Sequence, residues 1–498
     1  MRTRISRRAF GASLTALAAA STAHAAPDGL PDWINPLRRD LEAMAGRLTA
    51  TLKPWSGPQR VFTPEAYGHV AGAALSTKAI QAAIDAAAQA GGGVARLAQG
   101  DYVSGALDMR SGVKLDIAGG ARLLGSLNLA DWPERIARRR TVQDTNMGMN
   151  QSLIFAEGLR DIAIGGDGTI DGRGGRFHGD ETIHGTPGRP FLLRVIDCRN
   201  VHISGLFMKD SPCWMQNYLN CDNLLIEKLR VENQCNWNND GMDIDGCRNV
   251  IVRGCHISSG DDGICFKGAA QAPAENILIE NCTVFTSCNA LKLGTDSQSG
   301  FRNVLARNLI LGGVDDTMRH IKPVDASTGI SWEMVDGGHA ENILCRNIEI
   351  VRARSPFFLR LDDRGRVQPD QPKPPVGSLR RIVFEHVRGA DNGPRGSFFI
   401  GAPSQAVEDV ALIDVRLSQR PAAKAVAEAD IPEMHDDYPD ADMLRPHGDL
   451  APAYGLWARH VHGLTLKEYR VTPTGPDPRP EYVMDSDVSG AIDGISHV

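Results

Sequence analysis

Long apolar runs, strong net charge and paired metal-ligand spacings are all missing from this 498-residue chain, and each absence removes a class of function. No stretch supplies the roughly 20 consecutive apolar residues of a membrane-spanning helix. The net charge is only −6, so there is no basic footprint for nucleic acid or an anionic membrane surface. Ten cysteines are present, but no paired Cys-x-x-Cys spacing forms a metal framework. Core and turn material is plentiful by contrast: 42% hydrophobic residues, 52 glycines and 28 prolines. That composition suits a large soluble enzyme-sized domain.

The first 25 residues read as an address. Ser6-Arg7-Arg8-Ala9-Phe10, followed by Leu14, Leu17 and an alanine-rich stretch, matches a twin-arginine export signal, with Ala23-His24-Ala25 as a small-residue cleavage site. Export places the mature chain in the periplasm or outside the cell, beginning near Ala26. That compartment permits disulfides, while export of an already folded chain is also compatible with buried, unpaired thiols. Residues 26–58 read as a polar, proline-containing leader. Residues 59–498 then form one domain. Within it, Ser76-Thr77-Lys78-Ala79-Ile80 through Asp85 reads as a helix capped by Ser76 and stopped by Gly91-Gly92-Gly93. Its expected place is over the open end of the fold, where an uncovered edge invites aggregation.

A repeat explains how one domain can be so long. The phrase Asn-apolar-x-apolar begins at Asn200, Asn223, Asn249, Asn276, Asn303 and Asn342, at intervals of 23, 26, 27, 27 and 39 residues. Weaker copies start at Asp161, Arg381 and Asp409. A spacing near 25 suits one three-strand coil of a stacked β-solenoid, an architecture that grows in one dimension and escapes the usual limit on domain size. The long last interval implies a loop inserted around Val314 to Gly329. Recurring asparagines at one turn predict a ladder of side-chain amides running from coil to coil. Cys198, Cys221 and Cys247 sit two before the ladder, and Cys255 and Cys282 six after it, so they should stack as small buried groups.

Two motifs within this repeat carry chemistry: Asn238-Asn239-Asp240-Gly241 and Gly260-Asp261-Asp262-Gly263. Residues about twenty positions apart fall one coil apart, roughly 4.8 Å per layer, which makes Asp240 and Asp261 near neighbours with Asp262 beside them. Like charges that close resist ionising together, so one carboxyl can stay an acid while its partners act as bases. Trp214 and Trp237 flank the motifs, either as stacking platforms for a ligand or as core. His178, His184, His320 and His339 lie in or near loops, and their spacing makes no metal set.

With these motifs the chain resembles glycoside hydrolase family 28, the polygalacturonase group. The likeness includes Gly91-Gly92-Gly93-Val94, Gly100-Asp101-Tyr102, Arg189-Pro190, Asp210-Ser211-Pro212-Cys213-Trp214 and Leu450-Ala451-Pro452-Ala453-Tyr454-Gly455 ahead of Arg459-His460-Val461. It implies an all-β, right-handed parallel β-helix that hydrolyses α-linked galacturonides with inversion. Asp261 would be the general acid, Asp240 and Asp262 would hold and deprotonate the attacking water, and Asn238 would contact the sugar. Inversion leaves the acid and base roughly 6.5 to 9.5 Å apart. No metal or organic cofactor is implied. The expected partner is a polysaccharide or oligosaccharide, with no nucleic acid, no membrane and a monomeric enzyme.

The chain departs from the family pattern at two places. Asn289 stands where the family has a histidine, where it could still bond a sugar hydroxyl or the neighbouring acid, and Ser331-Trp332-Glu333 stands where the family has an Arg-Ile-Lys that binds the substrate carboxylate. A glutamate there repels a uronate. Lys292, Arg319 and Lys322 of the inserted loop, and Arg360 with Arg364, are the candidate replacements for the lost cations. Without one, the substrate shifts to a branched or neutral glycan, such as rhamnogalacturonan segments. Insertions at Gly172 to Arg189, Val314 to Gly329 and Ile431 to Leu450 could wall off one end of a groove and favour attack at chain ends. Two other readings stay open. One is a calcium-dependent polysaccharide lyase using Asp240, Asp261, Asp262 and Asp243 or Asp245, with Lys292 or Arg360 as base. The other is a glycan-binding solenoid without activity.

Overall fold

The computed structural model describes residues 29–141, 150–177, 188–314, 324–367, 371–433 and 440–492. Its strands run from Val61 to Ile492 and stack in parallel ladders, one rung per repeat. One ladder runs through Val201, Leu224, Val250, Ile277, Val304, Ile343, Ile382 and Val410. A second runs through Met208, Val231, Ile257, Val284 and Leu311. From Phe301–Gly313 onward the two walls share single long strands that turn the corner between them. The third wall is a separate sheet of twelve strands among the described residues. Three walls closing on one apolar core make the right-handed parallel β-helix that the resemblance implied.

The asparagine ladder is present and has a second cause. Asn223, Asn249, Asn276, Asn303 and Asn342 each donate to the residue one coil earlier, at 2.9, 3.4, 3.2, 3.1 and 3.2 Å. Each also sits at a φ of 55° to 62°, the left-handed region that asparagine tolerates better than most side chains. Residues at the weaker repeats, Asp161, Arg381 and Asp409, adopt the same backbone. The cysteine stack is equally visible: the Cys221 amide donates to Cys247 Sγ at 3.2 Å, and Cys255 to Cys282 Sγ at 3.5 Å. All ten cysteines are free thiols.

Among the described residues two α-helices cover the solenoid. Helix α2 (Thr77–Gln89) turns Ile80, Ala83, Ile84 and Ala87 into the main core at the first coil, as a cap should. Ser76, however, makes no capping bond. Its hydroxyl pairs with His69 Nδ1 at 2.9 Å, because the loop before the helix folds back over it.

The larger difference lies in the segment read as a leader. Residues Ile34–Thr51 form helix α1, which lies along the outside of the first wall. Ile34, Leu37, Leu41, Met44, Ala45 and Leu48 pack on Leu225, Ile251, Leu278, Leu305, Leu344, Val383 and Ala411. Those wall residues are the middle letters of the repeated triplets, so the strands are apolar on both faces, as strands covered on both sides are. Arg38 bonds Glu385 at 2.8 Å, and Glu42 bridges Arg307 and Arg346 at 2.8 and 2.9 Å. None of the helices among the described residues is long and apolar enough to cross a membrane.

Candidate functional site

The third wall carries the aspartates. Its central strands are β1 (Gln216–Leu219), β2 (Met242–Asp245), β3 (Ile264–Lys267), β4 (Asn289–Leu293), β5 (Ala326–Met334) and β6 (Ala353–Leu361). Met242 pairs with Ile264, and Ile264 with Leu291, so the positions two residues earlier form one column: Asp240, Asp262 and Asn289. Backbone bonds tie the rungs, Gly241 N to Asp262 O and Gly263 N to Asn289 O, both 2.8 Å. The glycine after each aspartate is required by this approach. A Cβ on Gly241 would stand 2.6 Å from Gly263 O, and one on Gly263 only 2.3 Å from Val284 Cγ1.

Asp262, rather than Asp261, is therefore the direct neighbour of Asp240. Asp240 and Asp262 are buried, at 3% and 4% exposure, while Asp261 is half-buried at the rim. Asp261 is anchored through its backbone: its carbonyl accepts the hydroxyls of Ser259, at 2.8 Å, and Thr286, and its Oδ1 accepts the Asp262 amide at 3.0 Å. Asn239 fixes the first motif by donating to the carbonyls of Ser211 and Cys213, both at 2.9 Å. Arg189, itself buried, donates to Trp237 O at 2.5 Å and to Asn238 Oδ1 at 2.9 Å. Of the two tryptophans, Trp214 is core, edge-on to Phe191 with Lys267 over its ring at 4.8 Å. Trp237 is 38% exposed beside Asn238.

Two buried lysines set the electrostatics. Lys267 Nζ lies 3.3 Å from Asp243 Oδ1, and Lys292 Nζ lies 3.2 Å from Asp262 Oδ2 and 3.5 Å from Glu333 Oε2. Asn289 donates to Asp262 Oδ1 at 2.7 Å, its own oxygen fixed by the Thr328 hydroxyl at 2.8 Å. Burial alone would raise Asp262, but Lys292, Lys267 and these bonds outweigh it and hold the carboxyl down at about 2. Burial drives Asp240 the other way, well above the usual carboxylate range, reinforced by Asp243, Asp261 and Asp262. Asp243 is raised to about 8, again mainly by burial. Neighbouring carboxyls with such divergent preferences can hold a proton and a charge side by side.

The expected replacements for the lost cations separate clearly. Lys292 is 6% exposed and spent on Asp262 and Glu333, so it braces the aspartates from below instead of meeting a substrate carboxylate. Arg360 is fully buried, its Nε and Nη2 on Asp362 at 2.9 and 2.5 Å, and it does not join the aspartates. Arg364 is held by Asp336, at 2.9 Å from Nε, and by the Thr295 carbonyl at 3.0 Å. Arg319, Lys322, His178, His184 and His320 lie outside the described residues. His339 is exposed and pairs with Ser378. Lys267 and Thr328 escaped the reading of the sequence. The signal for Lys267 was the alternation Ile264, Cys265, Phe266, Lys267, which puts a charge on the outward face of an otherwise apolar strand.

Beyond Glu333 the outward face of this wall is roofed. Ile431, Ala441, Met443 and Leu444 pack on Phe358, Phe398, Ile400 and Trp457. Asp440, within this roof, is raised to about 8 by burial and by the charges of Asp442 and Glu333, with Lys292 opposing.

Asp261, Asp262 and Cys288 also bring ligand atoms within 4.8 Å of one another. The Lys292 ammonium already neutralises Asp262 there, so a divalent ion would have to compete with a buried lysine.

Comparison with known proteins agrees with the architecture. A probable polygalacturonase of Vitis vinifera is 28% identical over 307 residues, 58% of this chain and 60% of that protein. The chain thus spans less than two thirds of that relative. Among solved structures, an exopolygalacturonase from Thermotoga maritima superposes with a TM-score of 0.64 at 16% identity, covering 86% of this chain and 96% of that one. A family 28 exopolygalacturonase of Yersinia enterocolitica gives 0.59 at 18% identity, over 89% and 80%. The model of the glycosyl hydrolases of family 28 matches residues 107–429, both aspartate motifs included, and the chain belongs to that family.

Proposed function

We propose that the protein is an exported glycoside hydrolase that cleaves α-glycosidic bonds of a pectic polysaccharide with inversion. Asp261 is the general acid, and Asp240 with Asp262 holds and deprotonates the attacking water. The observation that carries this reading is the column that stacks Asp240 on Asp262 with Asp261 at its rim. Two lysines favour the charge on Asp262, while burial and the neighbouring carboxyls favour the proton on Asp240, so Asp262 is assigned to accept the hydrogen bond and then the proton of the water, and Asp240 to orient it. The carboxyls titrate as a set. Asp261, half open to solvent, is the one able to reach a glycosidic oxygen. Asn238 and Trp237 supply a polar contact and an apolar platform beside it. The roof over Phe358 and Trp457 favours a cleft closed at one end, hence attack at chain ends.

The calcium-lyase reading is weaker, because both of its would-be carboxylate clusters already hold a buried lysine. The two separate in one assay: polygalacturonate and rhamnogalacturonan oligomers, followed by reducing ends and by absorbance near 235 nm, with and without chelator. Reducing ends without the ultraviolet signal, insensitive to chelator, are expected. An unsaturated product that vanishes with chelator would overturn the hydrolase.

A further inference from the structure

Beneath Asp262 the chain has built a relay of side chains that the hydrolytic scheme leaves unused. Lys292 is 6% exposed, and Glu333 behind it is fully buried. Glu333 Oε1 accepts the Ser331 hydroxyl, while Oε2 has no hydrogen-bond partner and lies 3.5 Å from the ammonium of Lys292; Asp440 of the roof also acts on both Glu333 and Lys292. Lys292 therefore stands between two carboxyl oxygens, 3.2 Å from Asp262 and 3.5 Å from Glu333. Asn289 and Thr328 lock the other oxygen of Asp262. We propose that Lys292 is a positioning residue for the reaction: clamped by Glu333, its ammonium keeps Asp262 ionised and aimed at the water beside Asp240.

The proposal rests on the assignment of Asp262 as base and deepens it. An isolated carboxylate as buried as Asp262 would take up a proton instead of paying the cost of desolvation. The groups that face it are Asp261 on its own turn, Asp240 and Asp243 from the preceding coil, Cys265 and Lys267 from β3, Cys288 and Lys292 from β4, and Glu333 from β5. Among the described residues only the two lysines are positive. Lys267 is also drawn by Asp243, at 3.3 Å, which leaves Lys292 as the closer countercharge to Asp262. Glu333 stops Lys292 from swinging away, since leaving would abandon a second buried carboxyl.

The test compares Lys292→Met and Lys292→Arg with the wild type on the same pectic oligomers, across pH. In Lys292→Met the acid limb of kcat should move up by about two units or more, roughly a 100-fold loss at the acid end, with KM little changed. Lys292→Arg, which keeps the charge, should leave the limb near its original place. Equal losses in both variants with an unmoved limb would show a packing role and overturn the proposal.

Thermal unfolding supplies a readout independent of turnover. Asp262 is depressed in the folded wild type, so its contribution is present above the unfolded value and is lost only as pH falls through about 2. Without Lys292 the folded value rises, and the stability gap between wild type and Lys292→Met should be widest near pH 7 and shrink towards acid. A gap independent of pH would refute the idea even if the wild type cleaves neither glycan, an outcome that would by itself overturn the pectic substrate instead. Should Lys292→Met not fold, Asp262→Asn/Glu333→Gln/Lys292→Met leaves neither of the carboxylates that Lys292 pairs with stranded. Relative to Asp262→Asn/Glu333→Gln it should lose no pH-dependent stability.

Discussion

Helix α1 is held to the solenoid by one apolar face and a few ion pairs at its edge, and this makes it a sharp target. Leu41 is 2% exposed and Leu48 4% exposed, both within the cluster on Leu278, Leu305 and Leu344. Leu41→Ala should cost about 2–5 kcal/mol, the transfer and cavity cost of a buried leucine. The flanking ion pairs are partly exposed and each contributes only about 0–1 kcal/mol. The loss therefore falls on the docking of the helix, and at its low end multiplies the population of undocked helix about 30-fold. Hydrogen exchange is the assay: amides of residues 34–51 should lose protection and the outer face of the wall should begin to bind a hydrophobic dye. Amides of β2, β3 and β4 should stay protected, and activity should persist, because the aspartates lie on another wall. Unchanged exchange in residues 34–51 would refute the reasoning, as would loss of protection throughout, which would make the helix part of one global cooperative unit.

Other outcomes follow from the site and the ladder. Asp261→Asn should reduce hydrolysis by about 10²–10⁴-fold without lowering the melting temperature, as removal of a general acid does. Asn303→Ala should destabilise more than Asn303→Gly, by about 1 kcal/mol, since both lose the ladder bond but only alanine is strained at φ 56°; equal melting temperatures would remove the left-handed backbone as a cause. Asp243, raised to about 8 in the folded state, contributes stability below its unfolded value that is lost as pH rises from about 4 through 8, so Asp243→Asn should flatten that part of the stability profile.

The solenoid was legible in the sequence because its turns obey a local rule. An asparagine in left-handed backbone followed by alternating apolar residues recurs once per coil, and the intervals of 23 to 39 residues reappear as the separations of bonded amides. The aspartate motifs were legible for the same reason, since register follows from the repeat. That Asp262 instead of Asp261 stacks on Asp240 needed the pairing of Met242 with Ile264. What escaped was set by contacts far apart in the chain. Residues 34–51 looked polar, yet Ile34, Leu37, Leu41, Met44 and Leu48 recur at helical spacing, and the apolar middle letters of Leu224-Leu225-Ile226 and Val250-Ile251-Val252 already asked for a cover. Lys292 looked like a ligand for substrate because strand alternation gives direction but not depth. Only the position of Glu333, one coil further on, shows that it points into a closed network.

The wall that α1 covers extends from Leu225 to Ala411, while the helix itself begins at Ile34. During synthesis the helix emerges before any of its seats exist, and the last of them appears nearly four hundred residues later. Its apolar stripe must wait, exposed, until the coils have stacked. Docking is then a seal applied to a finished solenoid, and a truncated or stalled chain would carry an unsealed stripe that marks it as incomplete.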